Sequence, residues 1–185
     1  KNKFENAWQA NLSSKVGYTI MEMMHGLEDG SIKGMVILGE NPVGSDPDSR
    51  HVKHALQEAE FLAVIDIFLT DTAKLAHVVF PGVSFAEKDG TFTNTERRVM
   101  RVRKSVQPVC ESRLDWQIIC DLAQRIESRL GRPASAGWQY SGPAEIFAEM
   151  GRVATMFKGA TYQRLERQDL QYPVPDETHP GTPFL

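Results

Sequence analysis

The sequence lacks the short motifs that identify several large classes of cofactor-binding and metal-binding protein. It has no G-x-G-x-x-G after a candidate strand and no G-x-x-x-x-G-K-[ST], which disfavours NAD-type binding and a P-loop. Its two cysteines, Cys110 and Cys120, form no C-x-x-C pair, so they offer neither a zinc nor an iron–sulfur ligand set. This usage is typical of free thiols in a reducing compartment and disfavours a disulfide.

Excess charge and long apolar runs are also missing. The formal net charge is -3 over 185 residues, so nothing global attracts the chain to nucleic acid or to an anionic membrane. No run of about 18 apolar residues is present, which argues against a membrane-spanning helix. Residues 1–14 are too polar and mixed for a signal peptide. We therefore expect a cytoplasmic protein, unless a targeting segment outside these residues sends a longer parent to the periplasm.

What is present is the composition and patterning of an α/β domain. Apolar residues make up 41% of the chain and charged residues 24%, which suits a soluble protein with a core. Residues 35–38 are a continuous apolar run, the mark of a strand buried on both faces of a parallel sheet. A second buried strand is predicted over residues 61–66 and a third strand over residues 77–82. Helices are predicted where apolar residues recur on one helical face, and Thr19 with Glu22 has the spacing of a capping box. The predicted helices cover residues 19–30, 48–60, 70–76 and 114–130, with another beginning at Pro143.

The order strand, helix, strand, short helix, strand indicates a mainly parallel sheet with right-handed crossovers. After Gly90 the pattern alternates, which predicts a hairpin-like excursion. In the helix over 114–130 we expect a buried stripe made of Ile119, Leu122, Ala123, Ile126 and Leu130. The last fourteen residues, "YPVPDETHPGTPFL", contain four prolines and are predicted to be extended. We therefore expect a domain over residues 1–160 and an extended linker over 161–185.

Small polar residues follow each predicted strand, in "GENPVGSDPD", "DIFLTDTA" and "PGVSFAEKDGTFTNTERR". Ligands of open parallel sheets bind beyond the carboxyl ends of the strands. Asp66 has the two acceptor oxygens that match the N1–H and N2–H₂ edge of guanine, and Gly39 allows close approach of backbone to a ligand. Thr70, Thr72 and Asn94 could bond phosphate, ribose or base. Structural interpretations stay open, since residues 39–42 have the composition of a common βα turn and Asp66 could be a helix cap or an Asx turn.

For two further clusters we favour a structural explanation over a binding function. Arg97, Arg98, Arg101, Arg103 and Lys104 are five bases in eight residues, and such a run is usually a solvated face or an ion-paired strand. No aromatic residues are interleaved with these bases, so nucleic-acid binding is not expected.

The second cluster is a pair of histidines. His51 and His54 are three residues apart on a predicted helix. The sequence shows no third ligand for them, and metal binding there is not expected.

Three segments of the chain together resemble the molybdopterin oxidoreductases of the DMSO reductase superfamily. They are "GENPVGSDPDSRHVKHAL", "FLAVIDIFLTDTAKLAHVVFPGVSFAEKDGTFTNTERRVMRVRKSV" and "DWQII". Within that superfamily they are most similar to the alpha (catalytic) subunits of formate dehydrogenases. The combination of "DIFLTDTA" with "EKDGTFTNTERR" is specific, and the similarity runs from about Phe4 to Leu185.

The resemblance implies a fold, a reaction and a cofactor. The matching region would be the third, Rossmann-like domain of an enzyme that converts formate to CO₂, a proton and two electrons. That enzyme carries molybdopterin guanine dinucleotide with molybdenum or tungsten, together with a 4Fe–4S cluster. The implied cofactor-binding residues are Gly39, Glu40, Asn41, Asp66, Thr70, Thr72, Glu87, Gly90, Asn94, Arg97, Arg98 and Asp115.

The chain departs from the family where the reaction itself takes place. The cysteine or selenocysteine that binds the metal, the histidine beside it, the formate-assisting arginine and the iron–sulfur cysteines have no counterpart. No catalytic or metal-binding residue is therefore assigned. Because the chain begins with Lys1 rather than methionine, we expect an inactive fragment that holds no cofactor by itself. Its expected partners are the remaining domains of the same subunit and electron-transfer subunits. A nitrate reductase, an NADH dehydrogenase large subunit and a non-catalytic scaffold domain stay as alternatives.

Overall fold

The structure is a computed structural model that describes residues 1–132 and 136–184. It divides into two units. The sheet unit comprises Ser13–Ser84 and Pro108–Ile118, and the hairpin unit comprises Lys1–Leu12, Phe85–Gln107 and Ile119–Leu185. In chain order the elements are α1 (Asn2–Trp8), α2 (Ile20–Glu28), β1 (Gly34–Leu38), α3 (Pro42–Ser45), α4 (Ser49–Gln57), β2 (Phe61–Asp66), β3 (Val78–Pro81), β4 (Gly90–Thr93), β5 (Arg98–Val102), α5 (Asp115–Arg129), α6 (Pro143–Val153), α7 (Tyr162–Leu165) and β6 (Leu170–Gln171).

Three parallel strands in the order β1-β2-β3 form the centre of the sheet unit. Leu38 pairs with Ile65 across β1 and β2, and Asp66 pairs with Pro81 across β2 and β3. All three strands therefore end at one edge. The predicted α/β class with a parallel sheet flanked by helices is confirmed.

Helices α2 and α4 of the sheet unit begin where local side chains satisfy backbone N–H groups. The hydroxyl of Thr19 accepts a hydrogen bond from the Glu22 N–H at 3.3 Å, and the Glu22 carboxylate accepts one from the Thr19 N–H at 2.6 Å. These two bonds form the predicted capping box. Asp48 caps α4 in the same sense, because its carboxylate accepts from the His51 N–H at 3.1 Å.

The core of the sheet unit lies between these helices and the central strand. Leu62 and Val64 of β2 are buried together with Met24, Leu27 and Leu56. Each such side chain contributes about 1.5–3 kcal/mol of transfer free energy when it leaves water. The central strand is thus the best-buried part of the sheet.

Strand β1 differs from the prediction that it is buried on both faces. Ile37 faces the core, but Val36 is 54% exposed and Leu38 is 47% exposed. The reason is that β1 is an edge strand of this sheet, and the helical layer that buries Ile37 does not cover the face of Val36 and Leu38. A continuous apolar run therefore marks a strand without showing which of its faces is covered.

The hairpin unit contains an antiparallel sheet in the order β4-β5-β6. Thr93 pairs with Val99, and Val99 pairs in turn with Leu170 of β6. The hairpin predicted after Gly90 is thereby confirmed. Val99 and Leu170 lie in a second core with Phe147, Leu165 and Val174.

The proline-rich pattern predicted an extended linker over residues 161–185, but the structure of residues 161–184 differs from it. They contain helix α7 and strand β6, and Leu165, Leu170 and Val174 are almost fully buried. The prediction depended on the prolines. However, these apolar residues, spaced four or five apart, are removed from water, and their burial offsets the entropy cost of ordering the backbone. A further domain beyond this segment stays a prediction.

Helix α5 also corrects one expectation. Ile126 is 49% exposed and Leu130 is 60% exposed, so the buried stripe does not continue to the end of the helix. Ile118 and Cys120 are the buried residues of this stretch, and burial raises the pKa of the Cys120 thiol. Both cysteines are free thiols, as predicted. Across residues 1–132 and 136–184, every helix is too short or too polar to cross a bilayer.

If the C-terminal segment is part of the core, Leu170→Ala should lower the free energy of unfolding by about 2–5 kcal/mol. Leu170 is 1% exposed, so the truncated side chain would leave a cavity. Urea denaturation measures the change. Phe184→Ala is the control, because Phe184 is 87% exposed and its loss should change the unfolding free energy by less than about 0.5 kcal/mol. Equal effects of the two substitutions would contradict this account of the segment.

Candidate functional site

The carboxyl edge of the parallel sheet is the candidate site in the sheet unit. The residues that directly follow β1 and β3 each donate one more backbone hydrogen bond to β2. The Gly39 N–H donates to the Ile65 carbonyl at 2.8 Å, and the Gly82 N–H donates to the Asp66 carbonyl at 3.0 Å. The first residues of all three loops are therefore fixed relative to one another, at the edge where ligands of parallel sheets bind.

Gly39 opens this edge at its β1 end. Its φ is +61°, a left-handed conformation that a residue with a side chain adopts only with strain. Among the described residues, apart from its two chain neighbours, no atom lies within 4 Å of the position that a Cβ would occupy. Backbone is thus exposed to a ligand here, and the neighbouring Glu40 is also exposed.

Asn41 and Thr72 connect the loops that follow β1 and β2. The Asn41 side-chain oxygen accepts from the Thr72 N–H at 3.2 Å and from the Thr72 hydroxyl at 2.8 Å. The Thr72 hydroxyl accepts in turn from the Val43 N–H at 3.1 Å, and Thr72 is completely buried. Both residues were predicted as ligand contacts. In the structure they hold the two loops in place.

Asp66 stands at the end of the central strand and is half-buried. One carboxylate oxygen accepts from the Phe68 N–H at 3.1 Å, which is the Asx-turn geometry left open by the sequence. Over the described residues its second oxygen has no hydrogen-bond partner. Thr70 also stabilises this loop, because its hydroxyl accepts from the Ala73 N–H at 3.1 Å. One oxygen of the Asp66 carboxylate is therefore held by the loop, and the other can accept a hydrogen bond from a ligand.

Asp115 reaches the same edge from the start of α5. A Cβ on Gly82 would lie 2.9 Å from an Asp115 carboxylate oxygen and 3.7 Å from the backbone carbon of Asp66. The Arg113 N–H donates to the Pro81 carbonyl at 3.0 Å, and this bond holds the segment before α5 against the end of β3. A side chain at position 82 would require the Asp115 carboxylate to shift, so Gly82 permits this close approach. Sequence reasoning missed it, although a glycine directly after a strand was a visible signal.

An exposed apolar run lies beside Asp66 and was also missed. Ile67, Phe68 and Leu69 are 49%, 71% and 64% exposed. In the sequence they look like a continuation of the strand. At this edge the carboxylate of Asp66 and the aromatic ring of Phe68 are therefore two residues apart. This combination suits a flat heterocycle with N–H donors.

The remaining predicted residues lie in the hairpin unit. Asn94 closes the turn between β4 and β5, because its side-chain oxygen accepts from the Arg98 N–H at 2.9 Å. Arg97 has a φ of +66°, and its guanidinium donates to the backbone carbonyls of Tyr172 and Thr182. It thus anchors the C-terminal segment to the turn. A contact of Arg97 with a cofactor stays a prediction.

Ion pairs account for the basic run in β5. Arg98 contacts Glu96 at 2.7 Å, and this bond holds the pKa of the Glu96 carboxyl below its usual value. Arg101 contacts Glu166 at 2.7 Å and also donates to the Gly90 carbonyl. Hydrogen bonds from Arg101, and then from Arg103, lower the pKa of Glu166. Of the two structural explanations left open by the sequence, a solvated face or an ion-paired strand, the second applies to Arg98, Arg101 and Arg103.

Glu87 completes the set of predicted residues and is unusual for a carboxylate. It is only 7% exposed, in a short 3₁₀ turn over Phe85–Glu87. The structure therefore brings Gly39, Glu40, Asp66 and Asp115 to one sheet edge, with Asn41, Thr70 and Thr72 supporting the loops. The predicted residues between 87 and 98 belong to the other unit.

Comparison with known proteins identifies relatives over nearly the whole chain. The molybdopterin oxidoreductase family matches residues 2–125. An F420-dependent formate dehydrogenase subunit alpha of Methanocaldococcus jannaschii is 46% identical over 98% of this chain and 26% of its own length. A second such subunit, from Methanococcus maripaludis, is 40% identical over 99% of this chain and also 26% of its own length. The chain thus spans about a quarter of the length of these relatives.

Among solved structures, acetylene hydratase from Pelobacter acetylenicus has a similar fold. Its TM-score is 0.61, and the match covers 82% of this chain and 20% of the hydratase. Sequence identity is 16%, so this similarity concerns the fold alone.

The buried bonds of Thr72 yield a stability prediction. Thr72→Val keeps the shape of the side chain but removes the acceptor for the buried Val43 N–H, which is left unpaired. The Asn41 oxygen loses the hydroxyl donor and keeps the Thr72 N–H. The free energy of unfolding should fall by about 1–3 kcal/mol in urea denaturation. Thr93→Val is the control, since Thr93 is an exposed strand residue. Its substitution should change the free energy of unfolding by less than about 0.5 kcal/mol. A Thr72→Val protein as stable as the control would show that the loops are not connected in this way.

Proposed function

This chain belongs to the molybdopterin oxidoreductase family, and from that membership we propose that it is part of a formate dehydrogenase alpha subunit. The complete reaction would convert formate to CO₂, a proton and two electrons. The observation that carries this proposal is the similarity to formate dehydrogenase subunits over 98% of the chain. Because the chain spans about a quarter of those subunits, the activity is proposed for a longer parent protein.

We further propose that the sheet edge binds the guanine end of a molybdopterin guanine dinucleotide. Guanine offers two neighbouring N–H donors, and a carboxylate with an available oxygen is their natural acceptor. Asp66 provides that oxygen, while its Asx turn fixes the direction of the carboxylate. Phe68, 71% exposed, is close enough in the chain to cover one face of the base.

The charge of this edge favours the base over the diphosphate. Glu40, Asp66 and Asp115 are acidic, and carboxylates repel phosphate groups. The hydrogen-bond acceptors of the sheet edge therefore fit the N–H donors of guanine, and cations outside this edge would be needed to neutralise the diphosphate. When bound, the cofactor supplies a molybdenum or tungsten ion that accepts electrons. The metal ligand, the 4Fe–4S cluster and the partner electron-transfer subunits are proposed to belong to the rest of the cytoplasmic parent enzyme.

The uncovered face of β1 supports a position inside a larger subunit. Val36 and Leu38 are about half exposed on this face, and Phe61 of the neighbouring strand is 49% exposed. Apolar patches of this kind on a folded protein mark a contact surface. We propose that other domains of the alpha subunit cover it. This observation favours a domain of a larger enzyme over an independent scaffold.

Binding of guanine nucleotides to the full chain tests the role of Asp66. GDP should bind more tightly than IDP, which lacks the 2-amino group, and more tightly than ADP. Asp66→Asn should weaken GDP binding at least about tenfold and abolish the preference over IDP, because hydrogen bonds to a charged group contribute about 1.5–3 kcal/mol each. Isothermal titration calorimetry gives the affinities.

Asparagine also forms Asx turns, so the variant should keep the loop. Asp71→Asn is the matched control, because Asp71 is an exposed carboxylate of the same loop, paired with Lys74 at 2.9 Å. Its affinity for GDP should equal that of the wild type. Indistinguishable binding of GDP and IDP by the wild-type chain would refute guanine recognition by this edge.

A further inference from the structure

Three side chains of metal-binding type meet on the surface of the sheet unit, outside the site described above. His25 and Glu28 lie three residues apart on α2, and His51 lies in the first turn of α4. A Glu28 carboxylate oxygen is 3.3 Å from His25 Nδ1 and 3.1 Å from His51 Nε2. One donor atom from each of the three residues lies within 4.8 Å of the other two.

The positions of these side chains are set by the packing of the two helices. Residues three apart on a helix are neighbours on its surface, which places His25 beside Glu28. Met24 and Leu27, next to them in the chain, are buried in the same core as Val52, the neighbour of His51. The ligand-bearing backbone is therefore rigid, as a preformed site requires.

The separations of the three donor atoms are compatible with one shared metal ion. Zinc bonds of about 2.0–2.1 Å in a tetrahedral arrangement place neighbouring ligand atoms about 3.3 Å apart. Two of the three separations, 3.3 and 3.1 Å, are close to this value, and the same Glu28 oxygen takes part in both. The two imidazole rings are 5.1 Å apart and inclined by 43°, so they converge without stacking.

We propose that His25, Glu28 and His51 form a binding site for one divalent transition-metal ion, best matched by Zn²⁺. Two imidazole nitrogens and one carboxylate oxygen suit zinc and its neighbours copper, nickel and cobalt, whereas magnesium and calcium prefer oxygen ligands. Water would complete the coordination, because Glu28 and His51 side chains are 27% and 22% exposed and His25 is more open. The bound ion would connect α2 to α4.

The other three histidines provide internal comparisons. Nδ1 of His77 accepts from the Leu62 N–H at 2.9 Å, and Nδ1 of His179 accepts from the Gly181 N–H at 3.2 Å. His54 lies on α4, one turn after His51, and is 3.8 Å from Glu58. It can offer at most one imidazole and one carboxylate, so His54 is the matched control for His51.

Calorimetric titration of the metal-free full chain with Zn²⁺ at pH 7.5 tests the proposal. We expect one equivalent of Zn²⁺ to bind, and Mg²⁺ not to bind at the same concentration. His51→Gln should weaken zinc binding at least about tenfold, since it removes one of three protein ligands. His54→Gln should bind zinc as the wild type does. Circular dichroism checks that each variant is folded.

A second variant and a second probe protect the test against a folding defect. His25 is exposed, so His25→Gln should fold normally and lose the same affinity. Co²⁺ bound by the wild type should give visible absorption bands that either histidine substitution removes. Zinc affinity that is unchanged in His51→Gln and His25→Gln, or reduced equally in His54→Gln, would overturn the proposal. In that case the three side chains form only a hydrogen-bonded surface cluster.

Discussion

The burial of β2 between two parallel neighbours is the constraint on which the sheet unit depends. Four consecutive residues of this strand, from Leu62 to Ile65, are buried, so both of its faces are covered. Its backbone pairs with β1 on one side and β3 on the other. Because a shift of one residue would exchange its two faces, the register is fixed. That register brings Asp66 to the same edge as Gly39 and Gly82.

The candidate site combines satisfied and available polar groups. Asn41 and Thr72 use their hydrogen bonds to hold the loops, which makes the edge rigid before any ligand arrives. Within the described part of the chain, one oxygen of the Asp66 carboxylate has no hydrogen-bond partner and is available to a ligand. A site organised in this way loses little conformational entropy on binding, and such preorganisation favours affinity. The acidic character of the edge is the reason for proposing that it meets the N–H donors of a base and that the phosphates of the same ligand lie away from it.

The features that could be predicted from the sequence are those that depend on residues close together in the chain. The Thr19–Glu22 capping box involves residues three apart, and the strands are short apolar runs, so both could be read directly. The exposure of Val36 could not, because an edge strand and a central strand have the same apolar pattern. The position of Leu170 in a core depends on pairing with Val99, 71 residues earlier in the chain. The contact of His51 with Glu28 joins two helices, which is why spacing within α4 alone gave no third ligand.

The central claim is that these residues form part of a formate dehydrogenase, and formate oxidation by the complete gene product tests it most directly. The protein would be purified without oxygen, analysed for molybdenum and tungsten, and assayed with formate and a one-electron dye. The account predicts bound molybdenum or tungsten and the reduction of two dye molecules for each formate converted to CO₂. A product that contains the metal and reduces nitrate, but leaves formate unchanged, would contradict it.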